Sequence, residues 1–316
     1  MKQKAFLITI DTEGDNLWKW QYGDIINTNN ALYIPRFQQL CNHYGFKPVY
    51  LTNYEMVCDQ RFVRFAKKEL SGGNIEIGMH LHADNTPPKY QLAVEYPENY
   101  PYLIEFPKDI MEQKIEVMTR ILEDVFECKM VSHRAGRWAL NDTYIEMLVK
   151  NGYQIECSVT PGIDWSKTKG ITIGSHGADY SKAPLTPYFI DAQQKLLEIP
   201  VSIRHVSKSF LPMKGLTNSL RHLKQKFIGQ KLWIRPNGKN LQEILYLLEY
   251  FRDSDDDYVM FMLHSSELMP GGSPTFPSTE SIEILYQHMT CIFKEASTFC
   301  EGKTLQEYAV EKLNVI

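Results

Sequence analysis

Stretches with strand character and stretches with helix character alternate along almost the whole chain, and this alternation limits the fold more than any other feature. Most of the short apolar runs are followed by a segment in which apolar residues recur every three or four positions, the spacing of an amphipathic helix. The predicted strands are Ala5–Ile10, Pro48–Leu51, Ile75–Met79, Met130–Ser132, Gln154–Val159, Leu196–Val201 and Tyr258–Leu263. The predicted helices are Asn30–Tyr44, Arg61–Leu70, Asp109–Phe126, Asp142–Asn151, Asn240–Phe251, Thr279–Phe299 and Thr304–Leu313. This order predicts an α/β protein with a mostly parallel sheet, either a barrel or a doubly wound sheet.

Composition excludes several classes of protein. The chain has 316 residues, 43% of them hydrophobic, with a formal charge of −4 that gives no indication of nucleic-acid binding. Its six cysteines form no CxxC pair, which favours reduced core thiols in a cytosolic protein. We find no signal-peptide pattern and no apolar run of about 18 residues, and therefore expect a cytoplasmic protein without a transmembrane segment.

Residues with acid, base or metal-ligand chemistry collect where the predicted strands end. In parallel β/α folds the C-terminal ends of the strands form the rim on which active sites are built. Six such residues follow four different strands, which is a pattern rather than a coincidence. They are Asp11, Glu13, His80, His82, Arg134 and His264.

The spacing of two pairs among them suits a divalent metal. Residues i and i+2 of a strand point to the same side, so His80 and His82 can converge on one point, and Asp11 and Glu13 can do the same. Two imidazoles and a carboxylate are typical ligands of a divalent transition metal, zinc first among them. The two carboxylates then supply one ligand and one general base, and His264 is free to act as the general acid.

The same residues stand in motifs that resemble those of the polysaccharide deacetylase family, the NodB homology domain of carbohydrate esterase family four. Thr9–Gly14 is similar to its first motif, His133–Trp138 to its arginine motif, and Leu263-His264 to its late histidine motif. The stretches at 11–14, 78–82, 134–138, 198–202, 233–236 and 264–268 are closer still to a branch found in surface-polysaccharide biosynthesis. The resemblance runs from Phe6 to about Pro274. It rests on the occurrence of all these motifs in the same order and not on any single motif.

This resemblance implies a distorted (β/α)7 barrel, here one catalytic domain over 1–316 with C-terminal helices from about 279. It implies a metal-dependent hydrolase that removes an N-acetyl group from a sugar. By position, Asp11 becomes the general base, Glu13 and His80 metal ligands, and His264 the general acid, while Arg134 positions Asp11.

The chain departs from the family at both metal motifs. The family's adjacent aspartates are here separated by Thr12, so the roles of Asp11 and Glu13 can be exchanged. The family's second histidine stands four residues after the first, where this chain has Asp84. Either His82 or Asp84 therefore completes the metal ligands, and we favour His82 because imidazole is the commoner zinc ligand.

A basic segment bears on the substrate. Between 204 and 240 the chain has nine Lys or Arg residues and no Asp or Glu, as a basic insertion in the domain. A positive patch of this kind suits the phosphate of a nucleotide-linked or lipid-linked sugar at the inner membrane face, although a solvated helix gives the same pattern. We expect Arg235, with Arg137 and Trp138 of the arginine motif, to contact substrate.

The sequence leaves two other functions open. The same machinery can act on another C–N bond, that of a formamide or a cyclic amide. Alternatively, the chain is a carbohydrate-binding relative without catalysis, a reading that the altered metal motifs keep open. The oligomeric state is not predicted.

Overall fold

The computed structural model of the chain describes residues 3–19, 24–206 and 230–313. Eleven strands lie in these ranges, in two sheets. They are β1 (Lys4–Thr12), β2 (Pro48–Thr52), β3 (Glu76–Leu81), β4 (Ser132–Ala135), β5 (Ile155–Glu156), β6 (Tyr188–Phe189), β7 (Leu197–Glu198), β8 (Ile203–Val206), β9 (Gln230–Trp233), β10 (Tyr258–His264) and β11 (Cys300–Gly302).

The main sheet has nine strands in the order β10-β1-β2-β3-β4-β5-β7-β6, with β11 also paired to β1. Its ladders are parallel apart from the antiparallel β6–β7 pair. The small second sheet is the antiparallel pair of β8 and β9. The predicted mostly parallel α/β architecture is therefore confirmed.

The sheet curls into a half-barrel, and the exact (β/α)7 barrel is not confirmed. Strands β5, β6 and β7 have only two residues each, so the ladder is weakest on that side. On the side of β10 that does not pair with β1, the described residues form single hydrogen bonds to the segments at Ser202 and Ile234 instead of a continuous ladder. The Met262 amide donates to the Ile234 carbonyl over 3.2 Å, and the Met260 amide donates to Ser202 Oγ over 2.8 Å.

Eight α-helices are assigned in the described ranges, and most of them connect successive strands. They are α1 (Ile34–His43), α2 (Tyr54–Val57), α3 (Gln60–Ser71), α4 (Lys108–Phe126), α5 (Asp142–Lys150), α6 (Leu241–Asp253), α7 (Thr279–Ala296) and α8 (Leu305–Leu313). The predicted cap of α5 is confirmed, because Asn141 Oδ1 accepts from the Tyr144 amide over 2.9 Å. Gly152, at φ +87°, ends that helix in a conformation that favours glycine.

Side chains that alternate along each strand divide the core into two layers. On β1, Phe6 and Ile8 face outward to the helices, where a large apolar cluster includes Phe37, Ile115 and Phe293. Ala5 and Leu7 face inward with Val49, Leu51, Ile155 and Met260. Because the period of a strand is two, Asp11 continues the inward face at the end of β1. The alternation that builds the core thus also delivers the first site residue into the half-barrel.

The C-terminal segment covers the opposite end of the half-barrel. Tyr308 and Ala309 of α8 belong to the inner apolar cluster. The Gln306 amide donates to Glu76 at the start of β3, and Tyr308 donates to Asp257 just before β10. The predicted C-terminal helices are therefore present, with the unpredicted β11 between them.

Of the predicted basic insertion near 204–240, residues 207–229 lie outside the described residues, and the described part includes the antiparallel strands β8 and β9. The six cysteines are unpaired, but Cys58 and Cys291 are exposed, so the expectation that all six are core thiols is wrong. Within the described ranges, no helix combines the length and apolar character needed to cross a membrane.

Candidate active site

The fold brings the strand-end residues together in pairs. In the β1–β10 ladder Asp11 lies opposite His264, and in the β3–β4 ladder His80 lies opposite Arg134. Asp11, His80 and Arg134 are buried, whereas His264 is half-buried at the rim. Arg134 lies within β4, one residue before its end, instead of just after the strand as predicted, because β4 extends to Ala135.

Glu13, His80 and His82 form a compact group suited to a metal. Glu13 Oε2 lies 3.1 Å from His82 Nε2 and 3.4 Å from His80 Nε2, and the two Nε2 atoms are 3.1 Å apart. In the described part of the chain, no other group of three or more His, Cys, Asp or Glu residues has this arrangement. Three potential ligand atoms therefore face one point at the end of β1 and β3.

The spacing of these atoms fits a small divalent ion. Ligands about 2.05 Å from a tetrahedral zinc ion lie about 3.3 Å from each other, and an octahedral ion gives about 3.0 Å. The observed separations of 3.1 to 3.4 Å match this range. The site fits a divalent transition metal, and the spacing alone does not choose among them.

The backbone sets the tautomer of His80. Its Nδ1 lies 2.9 Å from the Arg134 carbonyl oxygen, which can only accept, so Nδ1 carries the proton. In the neutral ring this tautomer directs the Nε2 lone pair toward Glu13 and His82, as a metal requires. Gly136 keeps space beside this site, since a Cβ there would lie 2.6 Å from the Leu81 carbonyl oxygen.

The pKa of Glu13 depends on the neighbouring histidines. Burial alone would raise the pKa of Glu13, but the neighbouring His264, His80 and His82 outweigh burial and hold that pKa well below its usual value. Burial would lower the pKa of His82, whereas its hydrogen bond to Glu13 raises it to about 9. Glu13 is therefore an ionised oxygen donor at neutral pH.

Asp84, the alternative third ligand, lies outside the compact group, which contains His82 instead. Burial raises the pKa of Asp84, and its side chain lines the wall of the site. The geometry therefore favours His82 over Asp84, as the ligand preference of zinc also does.

Asp11 is held by a fully buried arginine. Arg134 donates from one terminal nitrogen to Asp11 Oδ1 over 2.6 Å, and it also donates to the Cys157 carbonyl over 3.0 Å and to Thr9 Oγ1 over 3.0 Å. Burial opposes ionisation of Asp11, but the Arg134 charge lowers its pKa from the ordinary value. The second oxygen, Oδ2, lies 3.7 Å from His264 Nε2. Asp11 is thus ionised, fixed in direction and open on the side of the cavity.

His264 is held from behind by two charged residues. Its Nδ1 lies 2.9 Å from a guanidinium nitrogen of Arg235 and 3.2 Å from Glu267 Oε2. Arg235 and Glu267 also pair with each other at 3.1 Å. On the other side, Nε2 faces Asp11 and Glu13 at 3.7 and 3.8 Å. The ring therefore points its free nitrogen at the centre of the site.

These groups line a cavity of about 220 Å³ with aromatic walls. Trp18 donates from Nε1 to Ser266 Oγ over 3.1 Å and packs edge-on against His264. Tyr100 and Trp138 also line the cavity. Aromatic faces beside polar groups are well suited to the apolar face of a sugar ring.

The three residues that we expected to contact substrate differ in position. Arg137 and Trp138 line the cavity, and both adopt left-handed backbone conformations, with φ of 55° and 62°. Such conformations cost free energy in non-glycine residues and collect at functional sites. Arg235 lies behind His264 and is not part of the cavity wall. Its role in substrate binding stays a prediction.

Sequence reasoning did not single out Glu267 or Tyr100. Glu267 stands three residues after His264, the spacing of a capping box, and its carboxylate does accept from the His264 amide over 3.0 Å. The three-residue spacing could therefore have indicated this contact from the sequence. Tyr100 lies in the long irregular stretch between β3 and α4, where no periodicity indicates which residues face the site.

Comparison with known proteins supports the fold but does not identify the reaction, which has to be inferred from the site residues. No family model and no curated protein sequence matches the chain. A structure from Mycobacterium smegmatis, assigned as a polysaccharide deacetylase, has a TM-score of 0.58 at 13% identity, covering 99% of this chain and 91% of the other. The expected resemblance to polysaccharide deacetylases is therefore confirmed at the level of the fold.

Two enzymes with glucan-related names share the fold to a similar degree. A GH57 branching enzyme from Thermococcus kodakaraensis has a TM-score of 0.57 at 10% identity, covering 99% of this chain and 72% of the other. The 4-alpha-glucanotransferase from Thermococcus litoralis has a TM-score of 0.55 at 12% identity, covering 98% and 40%. The fold thus accommodates more than one chemistry, and the arrangement of side chains must decide.

Proposed function

We propose that the chain is a metal-dependent hydrolase that removes an N-acetyl group from a sugar during surface-polysaccharide assembly. The observation that carries the proposal is the Glu13, His80 and His82 group, with Asp11 and His264 on its open side. This is a ligand set, a base and an acid around one point. The ordered motifs of the sequence support the same family of reactions.

In this proposal Glu13, His80 and His82 hold the ion. A bound divalent metal lowers the pKa of water and polarises a carbonyl oxygen. The residues present fit that role, because the Nδ1 contact of His80 directs its Nε2 toward the site as a ligand atom and Glu13 is ionised. Zinc is our first choice because two imidazoles and one carboxylate are common in catalytic zinc sites.

Asp11 and His264 carry the protons. Asp11 Oδ2 takes a proton from the attacking water, while Arg134 keeps the other oxygen fixed and the carboxylate ionised. His264 Nε2 lies 3.7 Å from Asp11 Oδ2 and can deliver a proton to the leaving nitrogen across the same cavity. Acetate and a sugar amine are the products, and each bond that breaks has a group beside it that supplies or takes the proton.

The direct test is acetate release from N-acetylated sugars, followed by proton NMR. We expect release by the zinc- or cobalt-loaded chain, no release after chelation, and none from Asp11→Asn. A parallel series with N-formyl sugars and cyclic amides separates the related C–N hydrolases. If no substrate turns over but N-acetyl sugars bind, the non-catalytic carbohydrate-binding function replaces this proposal.

The likeness to the two enzymes with glucan-related names gives a second candidate, glycosyl transfer. Asp11 and Glu13 are two carboxylates in one cavity, and carboxylate pairs also cleave glycosidic bonds. The same assay separates the two, because new reducing ends or elongated glucan would appear instead of acetate. The His80 and His82 ligands favour the hydrolase, since glycosyl transfer by a carboxylate pair has no use for them.

Three parts of the proposal come from the sequence alone. They are a cytoplasmic location, the inner membrane face, and a sugar carried on a nucleotide or a lipid. The last rests on the basic segment near 204–240, of which 207–229 lie outside the described residues. Equal affinity for phosphorylated and unphosphorylated N-acetyl sugars would contradict it.

A further inference from the structure

Glu13, the candidate ligand from β1, lies one residue beyond the end of its strand. The β1–β2 ladder ends with the pair of Thr12 and Thr52. The β1–β10 ladder ends one residue earlier, with the pair of Asp11 and His264. Glu13 is nevertheless buried, so its backbone N–H and C=O need hydrogen-bond partners from outside the sheet.

The hydroxyl of Ser265 bonds both of these backbone groups. Ser265 Oγ accepts from the Glu13 amide over 3.1 Å and donates to the Glu13 carbonyl oxygen over 3.0 Å. It also accepts from Asn30 Nδ2 over 2.8 Å. A hydroxyl has one donor and two acceptor lone pairs, so Ser265 uses its complete hydrogen-bonding capacity at this point.

Asn30 closes the network from a 3₁₀ helix at 29–32. Its Nδ2 donates to the Glu13 carbonyl oxygen over 2.7 Å as well as to Ser265 Oγ. The preceding backbone amide donates to Asp15 Oδ2 over 2.6 Å, which attaches this helix to the loop that begins with Glu13. Ser265 and Asn30 are both fully buried, so water does not compete for these bonds.

The same serine connects the candidate ligand with the proposed acid. Ser265 directly follows His264 and begins the 3₁₀ helix Ser265–Leu268. The backbone leaves β10 at this point, while the Ser265 side chain returns to the main chain of Glu13. The proposed function uses His264 of the sequence motif at 264–268 and gives Ser265 no role. The contacts of its hydroxyl indicate one.

We propose that Ser265 is a positioning residue for the metal centre. Its hydroxyl fixes the main chain of Glu13 and so holds that carboxylate where it can share a metal with His80 and His82. The inference rests on the proposed function, because it assumes that these three side chains bind a metal. Contacts that orient a metal ligand from outside the ligand group typically contribute about 10- to 100-fold in metal affinity or activity.

The test measures zinc affinity, by competition with a chromophoric chelator, for the wild type, Ser265→Ala and Ser202→Ala. Ser202 is a matched control, because it is 2% exposed and its Oγ also accepts from a backbone amide, that of Met260, over 2.8 Å. We expect the dissociation constant of zinc to rise by about 10- to 100-fold in Ser265→Ala and to stay unchanged in Ser202→Ala. Urea unfolding of the metal-free proteins separates the two roles, because a merely structural serine lowers stability without changing zinc affinity.

The visible absorption of bound cobalt gives a second readout, since it depends on the geometry of the ligands. Ser265→Ala should change this spectrum, whereas Ser202→Ala should keep it. Asn30→Ala is the alternative variant if Ser265→Ala does not fold. The Glu13 carbonyl then loses one of its two donors but keeps Ser265, so zinc affinity should fall by a smaller factor.

Unchanged zinc affinity and an unchanged cobalt spectrum in Ser265→Ala would overturn the inference while the proposed function stands. The same result in Asn30→Ala has that meaning if only this variant folds. An equal loss of zinc affinity in Ser202→Ala would also overturn it, because any buried serine would then have the same effect. A wild type that binds neither zinc nor cobalt would overturn both the inference and the proposed function.

Discussion

His80 shows how much a single side chain depends on its neighbours in the sheet. Its Nδ1 proton goes to the carbonyl of Arg134, the residue opposite it in the β3–β4 ladder. The guanidinium of that same Arg134 holds Asp11. One residue thus orients a candidate ligand through its backbone and the candidate base through its side chain. Arg134→Lys should therefore impair activity, because an ammonium cannot bond Asp11, Thr9 and the Cys157 carbonyl in the same plane.

His264→Ala tests the assignment of the acid. We expect kcat for acetate release to fall by about 100- to 10,000-fold, the usual contribution of a general acid, because His264 is the group that we propose to protonate the leaving nitrogen. Metal content should be unchanged, since His264 is not in the ligand group. His176→Ala is a control, because its Nδ1 contacts the carbonyl of Gly177 away from the cavity. Full activity of His264→Ala, or loss of its metal, would contradict the assignment.

At the residue scale, the features that could be predicted from the sequence are those that follow from strand periodicity. The i, i+2 spacing of His80 and His82 and the position of Asp11 at a strand end follow from the alternation of a strand. The part played by Glu267 depends on how the chain turns after β10, and Lys114 looks like an ordinary polar position of an amphipathic helix. Contacts of that kind are set by tertiary packing, which a local pattern does not contain.

At the scale of elements, helix α4 fixes the segment that follows the candidate metal ligands His80 and His82. Lys114 of α4 is 1% exposed, and its ammonium donates to the Ala83 carbonyl over 2.9 Å and the Pro88 carbonyl over 2.7 Å, with a third bond to Thr86. All three of its donors are used. Residues 83–88 are not in a strand whose hydrogen bonds would satisfy these carbonyl oxygens. The Lys114 ammonium satisfies them instead.

Lys114→Met should destabilise the chain by about 2–4 kcal/mol, because it removes the donor for three carbonyl oxygens. It should also weaken metal binding, since His82 begins that segment. Urea unfolding and a metal titration measure the two effects. Lys108→Met, an exposed lysine on the same helix, is the control, with a side chain 69% exposed. Unchanged stability in Lys114→Met would show that the segment is held by other contacts.

The elements that could be predicted are those with long, regular patterns. The strands β1, β3 and β10 and the helices α3, α4 and α5 lie within a few residues of their predicted bounds. The predicted strands Gln154–Val159 and Leu196–Val201 shrink to Ile155–Glu156 and Leu197–Glu198. Their apolar residues are buried as expected, but much of this backbone bonds to loops instead of a continuous ladder, which burial patterns do not reveal.

At the scale of the whole molecule, a buried carboxylate pair makes stability depend on pH. Glu156 contacts His133 Nδ1 at 3.1 Å and accepts from the Ser158 amide over 2.7 Å. Burial and the adjacent Glu156 raise the pKa of Glu198 well above its ordinary value. Two neighbouring buried carboxyl groups are not both ionised, so Glu198 keeps its proton in the folded chain.

The folded chain therefore holds a proton that the unfolded chain releases above about pH 4.5. Stability contributed by this proton is present below that pH and is lost as pH rises toward the folded pKa, at up to about 1.4 kcal/mol per pH unit. Glu198→Gln mimics the protonated form. We expect its free energy of unfolding to fall less than that of the wild type between pH 5 and 8.

Glu146→Gln, an exposed position with a side chain 72% exposed, is the control for this series and should follow the wild type. Denaturant unfolding at several pH values measures all three proteins. If Glu198→Gln and the wild type show the same slope with pH, Glu198 is ionised in the folded chain and our assignment of a buried proton to it is wrong.

Metal content is the measurement that tests the central claim most directly. It is determined on protein purified without chelator and reconstituted with zinc, cobalt or nickel, for the wild type, His80→Ala, His82→Ala and Asp84→Ala. We predict about one ion per chain in the wild type and in Asp84→Ala, and loss of the ion in both histidine variants. A wild type that binds none of these metals would contradict the account, because Glu13, His80 and His82 would then be a hydrogen-bonded cluster and not a metal centre.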